Sequence, residues 1–492
     1  MNLMGRKSSK DQEKEAYTAL LRRLVLILVI GYAAAVVLFY FLAGEQLHLR
    51  QSRGNLELPA ADSGTVELIS GSIVEQRFTT EIQRLERIDI QWGTYYRPNA
   101  GIVLAELVDL RSGAVLLSQS FDAAGIPEGG LTTLTAETPI EGLYQAPLLL
   151  RLTADSQLGS AASPLMDTQG QQEEGWELSL NGAPTAGTLC FALSGTDYIW
   201  TGLHYWQFAA VGLGLVLLFL AVVWLRVRSG KRSYVVNAVI AVQKYRFLIR
   251  QLVARDFRTK YKRSVLGIFW SFLNPLLMML IQYFVFSTIF KSDVPNFAAY
   301  LIIGTVMFNF FNEACGMALG SIVGNASLIT KVYMPKYIYP LTRVMSSMVN
   351  LVISLIPMLI VCVITGVELH KSAVLAFFFL ICLTVFSLGL GLLLSAAMVF
   401  FRDTQFLWGV LSMMWMYATP IFYPESILPE ELRLVLRVNP LYHFLKNARL
   451  CILNGISPEP AVYVQCIAIA LAALLMGALV FYKTQDRFVL YL

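Results

Sequence analysis

From Lys244 onward the chain sets Arg246, Arg250, Arg255, Arg258, Lys260 and Lys262 among Tyr245, Leu248, Ile249 and Leu252 at helical spacing. An array of this kind works by electrostatics and partition, as a helix laid on a membrane surface. Groups for covalent chemistry are sparse. No G-x-x-x-x-G-K-[ST] run occurs, since Gly230-Lys231 lacks both the upstream glycine and the hydroxyl, so the chain has no phosphate cradle of that type. The four histidines, His48, His204, His370 and His443, fall near predicted outer edges of the membrane, and no zinc spacing is present, so no metal site is expected. Cys315, Cys362, Cys382 and Cys466 sit in apolar runs as small hydrophobes. Cys190 and Cys451 are expected outside, and a bridge between them cannot be argued from sequence. Glu313 is an acid in the middle of an apolar run, where it should face the bundle interior or an aqueous cavity. It would bond a substrate hydroxyl or pair within a dimer; a lone carboxylate is a poor proton relay.

The elements that must position these groups follow from composition. Of 492 residues, 56% are hydrophobic and only 14% charged, the signature of a polytopic membrane protein. The net charge of +5 matters less than its distribution. Residues 226–263 carry 12 Lys and Arg against the single acid Asp256, whereas residues 45–205 carry 8 Arg, no Lys and 20 Asp and Glu. The basic part should face the cytoplasm and the acidic part the outside. Apolar runs are predicted to span at 24–43, 208–225, 265–290, 298–322, 341–365, 373–400, 405–421 and 461–482, about eight helices of bilayer length. Lys331, Lys336 and Arg402 then fall in inner loops and Asp293, Glu368 and Glu425 in outer ones, with both termini cytoplasmic. The first run is long for a cleaved signal peptide and is read as a retained helix.

Between the first two spans the period changes. Short runs at 65–69, 73–79, 85–92, 102–110, 114–118, 147–152 and 188–193, separated by turn signals such as Pro98-Asn99-Ala100-Gly101, predict an extracytoplasmic all-β sandwich, jelly-roll-like in strand pattern. The Gly-, Gln- and Glu-rich segment 163–187 reads as a long flexible loop inserted in it. Trp92, Tyr95, Tyr96 and Trp176 would stack on sugar faces if the sandwich binds glycan; alternatively Trp92 and Tyr95 fill its core and the domain is a spacer or a dimer contact. The expected domains are 1–44 (inner N-terminus and first span), 45–203 (sandwich), 204–226 (second span), 227–264 (linker and interface helix) and 265–492 (six-helix domain).

The basic helix, Leu266-Gly267, Trp270 and Asn274-Pro275 resemble the opening of permease subunits of ATP-binding-cassette exporters for polysaccharides and polyol phosphates such as O-antigen and teichoic acid. The resemblance covers residues 244–492. It implies that Arg250, Arg255, Arg258, Lys260, Tyr261, Lys262 and Trp270 form the interface helix beside the gate for a lipid-linked glycan. In the loop NASLITKVYMPKYIYP, Asn325, Leu328, Lys331, Val332, Tyr333, Met334, Pro335, Lys336 and Pro340 look like the family's coupling helix, which docks on the ATPase subunit. A stiff, Pro-bounded element with exposed aromatic and basic residues can transmit a rigid-body push. Pro420, Pro424 and Pro429 cannot continue a lipid-exposed helix. With Tyr423, Asn439, Pro440 and Arg449 they resemble the family's outer re-entrant cap. Tyr283, Phe284, Phe308, Phe311, Glu313, Trp415 and Tyr417 are the expected channel lining, because aromatic platforms let a sugar polymer stack without being gripped.

The reading is a polytopic α-helical membrane permease that exports a lipid-linked polysaccharide or teichoic-acid-like polymer and is not itself an enzyme. The resemblance implies an ABC ATPase subunit carrying ATP and Mg, a second copy of this chain, no cofactor in this chain, no nucleic acid, and a bacterial cytoplasmic membrane. The alternatives are a membrane-bound glycosyltransferase or polymerase, which would need acidic catalytic residues in a sizeable loop, and a ligand sensor, which would need an output domain. A cation-coupled transporter would show more intramembrane charge than Glu313.

Overall fold

The computed structural model describes residues 9–54, 61–168, 175–229, 234–262, 265–288, 295–331 and 334–492. The chain forms two compact units, one of residues 48–203 and one of the remainder.

The smaller unit contains, among the described residues, thirteen strands: β1 (Leu49–Gly54), β2 (Ser63–Gly64), β3 (Ile73–Phe78), β4 (Arg84–Gly93), β5 (Ile102–Asp109), β6 (Ala114–Asp122), β7 (Leu131–Glu141), β8 (Leu148–Ala154), β9 (Ser163–Asp167), β10 (Glu177–Leu180), β11 (Ala183–Thr185), β12 (Thr188–Leu189) and β13 (Phe191–Tyr198). One sheet runs β1-β13-β4-β9-β12 with β2 on β9 and β7 on β4; the other runs β11-β10-β3-β8-β5-β6. Both contribute to one core: Ile88, Ile90 and Trp92 of β4 meet Leu148, Leu150 and Leu152 of β8, with Phe78 edge-on to Phe191. Alternate residues turn inward, as the period of two requires, which makes the unit a β-sandwich. Three details depart from the sequence reading. Residues 65–69 form only an isolated bridge, from Ile69 to Ser156. β7 was not expected, because its Thr- and Glu-rich run shows little apolar alternation. The segment taken for a flexible loop contains β9, β10 and β11, with residues 169–174 outside the described set.

The larger unit is helical. Among the described residues of both units the helices are α1 (Ser9–Ala43), α2 (Trp200–Leu203, a single turn in the smaller unit), α3 (Tyr205–Arg228), α4 (Tyr234–Lys244), α5 (Arg246–Tyr261), α6 (Phe269–Thr288), α7 (Phe297–Leu319), α8 (Ala326–Ile329), α9 (Ile338–Ile364), α10 (Ala376–Phe400), α11 (Thr404–Tyr417), α12 (Glu430–Val438), α13 (Pro440–Leu453), α14 (Pro460–Thr484) and α15 (Phe488–Tyr491). Among the described residues seven helical stretches are long and apolar enough to cross a bilayer, built on α1, α3, α6, α7, α9, α10 and α14. The expected eighth, α11, has 14 residues. That is about 21 Å of helix against ~30 Å of hydrocarbon. It stops because Pro420 and Pro424 follow. The linker ahead of the basic helix contains α4, whose Val236 packs on Val223 of α3.

Most of α7 is buried, and it forms the centre of the bundle. α10 and α14 cross at glycines: a Cβ on Gly477 would lie 1.9 Å from the Gly389 carbonyl oxygen, so only glycine lets the two backbones approach this closely. Gly477→Ala should therefore destabilise the protein by at least the ~1–3 kcal/mol of an overpacked core. Gly316→Ala, whose Cβ meets nothing within 4 Å, should be neutral or mildly stabilising. Melting curves of the two variants in detergent test this, and coincident curves would refute the close crossing.

Candidate functional site

The larger unit concentrates polar groups at the two ends of α7, near Glu313 and near Tyr300, about 20 Å apart along the helix.

At the Glu313 end lies α5. Ile249 and Leu252 are buried, and Tyr245, Leu248 and Ile249 join a cluster with Met334, Ile338, Tyr339 and Phe488, while Arg250, Arg258 and Lys262 remain exposed. The apolar side of α5 is thus turned onto other segments of the protein and not, as expected, onto a membrane surface, and burying each of the two aliphatic side chains contributes about 1.5–3 kcal/mol. The polar side of α5 is tied down. Lys260 Nζ donates to Glu313 Oε1 at 2.7 Å, and Asn350 Nδ2 of α9 donates to the same oxygen at 2.8 Å. The Tyr261 hydroxyl donates to Asn350 Oδ1 at 3.1 Å and bonds the Ser271 hydroxyl of α6. Four helices meet in one network. Beside it the Asp256 carboxylate, 6% exposed, lies 3.0 Å from Arg343 and 3.1 Å from Arg255, and accepts from Ser346 Oγ at 3.2 Å. A cavity of about 490 Å³, lined by Arg255, Lys260, Asn325, Arg343, Ser346 and Asn350 among others, opens between them.

This corrects the reading of Glu313. It sits six residues, about 9 Å, from the end of α7 and not at its middle, and it has an ion-pair partner within its own chain. Asp256, Arg343, Ser346 and Asn350 were not anticipated as site residues. A signal existed: Arg343, Ser346, Ser347, Asn350 and Ser354 recur every three or four residues, a polar stripe on an otherwise apolar helix. Trp270 at the start of α6 is exposed.

Among its described residues, the loop read as a coupling element holds one α-helical turn, α8. Asn325 is buried, its amide donating to the Ser321 carbonyl at 2.7 Å; Leu328 is half-buried and Lys331 exposed. Val332 and Tyr333 lie outside the described residues. Met334 and Pro340 are buried and Pro335 half-buried, and Lys336 Nζ donates to the Gln485 carbonyl at 2.6 Å. Most of the segment is therefore anchored to α5 and to the C-terminal turn, and the exposed face expected of it narrows to the neighbourhood of Lys331.

At the Tyr300 end the break after α11 is held from inside the protein. The buried Arg449 donates to the carbonyls of Tyr300, Pro420 and Ile421 at 2.6–3.2 Å, with its guanidinium 3.4 Å from the centre of the Tyr300 ring. The Tyr300 hydroxyl donates to the carbonyls of Pro420 and Tyr423. Asn439 accepts from Trp415 Nε1 and caps α13 through Leu441 N–H, while its Nδ2 reaches Ala418 O and Thr419 Oγ1. The Tyr423 hydroxyl returns to Tyr417 O. Each interruption that proline forces is matched by a side-chain partner, as backbone at membrane depth requires. Pro424 is half-buried, Pro429 exposed, and Pro440 begins α13. Gly304 makes room, since a Cβ there would lie 2.3 Å from Arg449 Nη2.

The expected channel aromatics divide. Phe308 and Phe311 are buried, with Phe311 against Phe386, Trp408 and Trp415, so they are packing between helices of one chain and not lining. Tyr283, Phe284 and Tyr417 are exposed.

In the sandwich Trp92 is fully buried, its indole N–H donating to Thr132 Oγ1 at 2.7 Å, and Trp176 stacks on Phe191 in the core; neither can meet a sugar face. Tyr95 and Tyr96 stand on an exposed turn after β4, both with φ of 54°. Glu128 holds that turn by accepting from Thr94 N–H, the Thr94 hydroxyl and Tyr96 N–H, and the Thr94 hydroxyl above all keeps its carboxyl below the usual carboxylate range. The six cysteines are buried free thiols, Cys190 and Cys451 included.

The larger unit is thus a bundle of apolar helices with a basic helix at one end and a proline-broken, protein-capped segment at the other, an arrangement suited to a membrane permease. Residues 248–453 match the model of the ABC-2 type transporter family. The O-antigen export system permease protein RfbA of Myxococcus xanthus is 28% identical over 255 residues, covering 51% of this chain and 98% of that protein. RfbA of Klebsiella pneumoniae is 26% identical over 242 residues, 49% of this chain and 93% of its own length. The capsule polysaccharide export inner-membrane protein CtrC of Neisseria meningitidis serogroup A is 23% identical over 199 residues, 40% and 75%. These homologues are permease subunits of polysaccharide-export systems. The three alignments cover about half of this chain or less, and the family match begins at residue 248, beyond the sandwich.

The Lys260–Glu313 pair is partly exposed, so its contribution is modest. A double-mutant cycle with Lys260→Ala and Glu313→Ala should give a coupling energy of about 0.5–1 kcal/mol in thermal unfolding, falling with added salt. Additive single effects would mean that the two do not interact.

Proposed function

We propose that this chain is the membrane-spanning subunit of an ATP-driven exporter that moves a lipid-linked polysaccharide or teichoic-acid-like polymer across a bacterial cytoplasmic membrane. The observation that carries the reading is the network that fastens the basic interface helix, through Lys260 and Tyr261, to Glu313, Asn350 and Ser271. An interface helix held by polar side chains at the bundle edge is a gate: it stays closed in a membrane, and it yields to a modest push because each bond is individually weak. In this reading the α5 end faces the cytoplasm, residues 45–203 lie outside, and both termini are inside.

The push comes from a separate ATPase subunit that binds ATP and Mg. Lys331 and its neighbours receive it. Met334 and Ile338, on the same segment, share an apolar cluster with Ile249 of the gate helix and Phe488 of the C-terminal turn, so a displacement of the loop carries α5 with it. Asn325 lines the same cavity as Lys260. Two copies enclose the channel, with Tyr283, Phe284 and Tyr417 available from each to a passing glycan, and the Arg449-held segment forms the outer cap. In the sandwich the Tyr95–Tyr96 turn is the surface left for sugar stacking.

Affinity purification of the tagged chain from its native membrane should recover a nucleotide-binding subunit with ATPase activity. Lys331→Glu should weaken that association about tenfold, equivalent to ~1.4 kcal/mol. Recovery of the chain alone, active in glycan transfer, would contradict the assignment and favour an enzyme.

A further inference from the structure

The outer end of α1 is bolted to the permease. Gln46 lies in the turn that follows α1, and its side-chain amide makes two bonds to the loop between α13 and α14: Nε2 donates to the Gly455 carbonyl at 3.0 Å, and Ser457 N–H donates to Oε1 at 2.7 Å. One amide thus satisfies two backbone groups two residues apart, as a neighbouring strand would.

The loop it grips has little freedom. Gly455 has φ of +66° and a Cβ there would lie 2.6 Å from His370 Nδ1, so the loop is fixed at that residue, and Ile456 N–H closes the end of α13 on Leu450 O. Ser457 Oγ bonds the Tyr463 hydroxyl, and the Tyr463 ring meets Phe39 of α1 edge-on at 4.7 Å. Ala43 and Leu47 are buried alongside. The returning helix is tied to the same body, since the Tyr205 hydroxyl donates to Val36 O at 2.7 Å and that of Tyr32 to Ala209 O at 2.8 Å. α13 in turn carries Arg449, which holds Pro420 and Ile421.

We propose that Gln46 is a positioning residue for the outer exit: through it the helix pair bearing the extracytoplasmic unit fixes the loop behind α13, and with it the segment that caps the path. This rests on the exporter reading.

The test uses the full chain with its ATPase partner, in cells lacking the native permease gene, with surface polymer and membrane-inserted protein both quantified. Gln46→Leu, which removes both bonds, should lower surface polymer at least fivefold at unchanged protein level, while the purified complex keeps its ATP hydrolysis. Gln46→Glu, which keeps the acceptor for Ser457 N–H and loses the donor to Gly455, should fall between. Because Gln46→Leu could act through misfolding, the pair Gln46→Cys with Ser457→Cys supplies the second reading. Oxidised to a disulfide, it should restore export towards that of the unsubstituted chain, and reduction should remove the gain. Full export by Gln46→Leu, or export blocked by the disulfide and released by reductant, overturns the proposal. An unsubstituted chain that exports no polymer refutes the exporter reading and the role of Gln46 with it, whereas export unaffected by Gln46→Leu refutes the role of Gln46 alone.

Discussion

A carbonyl group within a bilayer must find its hydrogen-bond donor in the protein, since the hydrocarbon offers none. The larger unit depends on this constraint. Its apolar helices meet it internally, and the one place where prolines forbid a helix, after Tyr417, is supplied from elsewhere: Arg449, Tyr300 and Asn439 donate to Ala418, Pro420, Ile421 and Tyr423. Gly304 is bare because Arg449 occupies the space beside it, and Trp415 is oriented by Asn439. The broken segment is thus a built element that closes one end of the bundle. The other end is closed by weaker means, a set of side-chain bonds on an amphipathic helix.

The difference in strength between the two ends is mechanical. Arg449 is buried and makes four donor contacts to backbone, an arrangement that is costly to disturb because a buried cation would be left unsatisfied. Lys260 and Glu313 are partly exposed, so water replaces their hydrogen bonds at little cost when they part. In the proposed exporter the Arg449-held segment is the firm wall and α5 the element that yields. The apolar cluster of Ile249, Met334 and Phe488 links the yielding element to the loop near Lys331.

Much of this was legible in the sequence, for reasons that can be named. Bilayer thickness sets helix length and charge sets sidedness, so the spans were readable, and prolines marked the break. α11 was overestimated because apolar residues continue past Tyr417 and hydropathy does not register where the helix stops. The burial of Trp92, one of the two expectations for it, was legible from Ile88 and Ile90, which share its parity on β4, whereas Tyr95, expected beside it in the core, is exposed. The partner of Glu313 could not, because Lys260 lies 53 residues away and only the packing of α5 brings it there. Gln46 was still less visible: a lone glutamine 409 residues from Gly455 has no local signature. β9, β10 and β11 were hidden by a loop-like composition, and their pairing is fixed by partners distant in sequence.

The central claim is that this chain is a conduit driven by a separate engine. Its most direct test is polymer translocation in proteoliposomes carrying the chain with and without its ATPase subunit, given lipid-linked glycan on the loop side and ATP with Mg. The account predicts transfer only when both subunits are present and nucleotide is hydrolysed. Transfer or synthesis of glycan by this chain alone, with no nucleotide consumed, would contradict it.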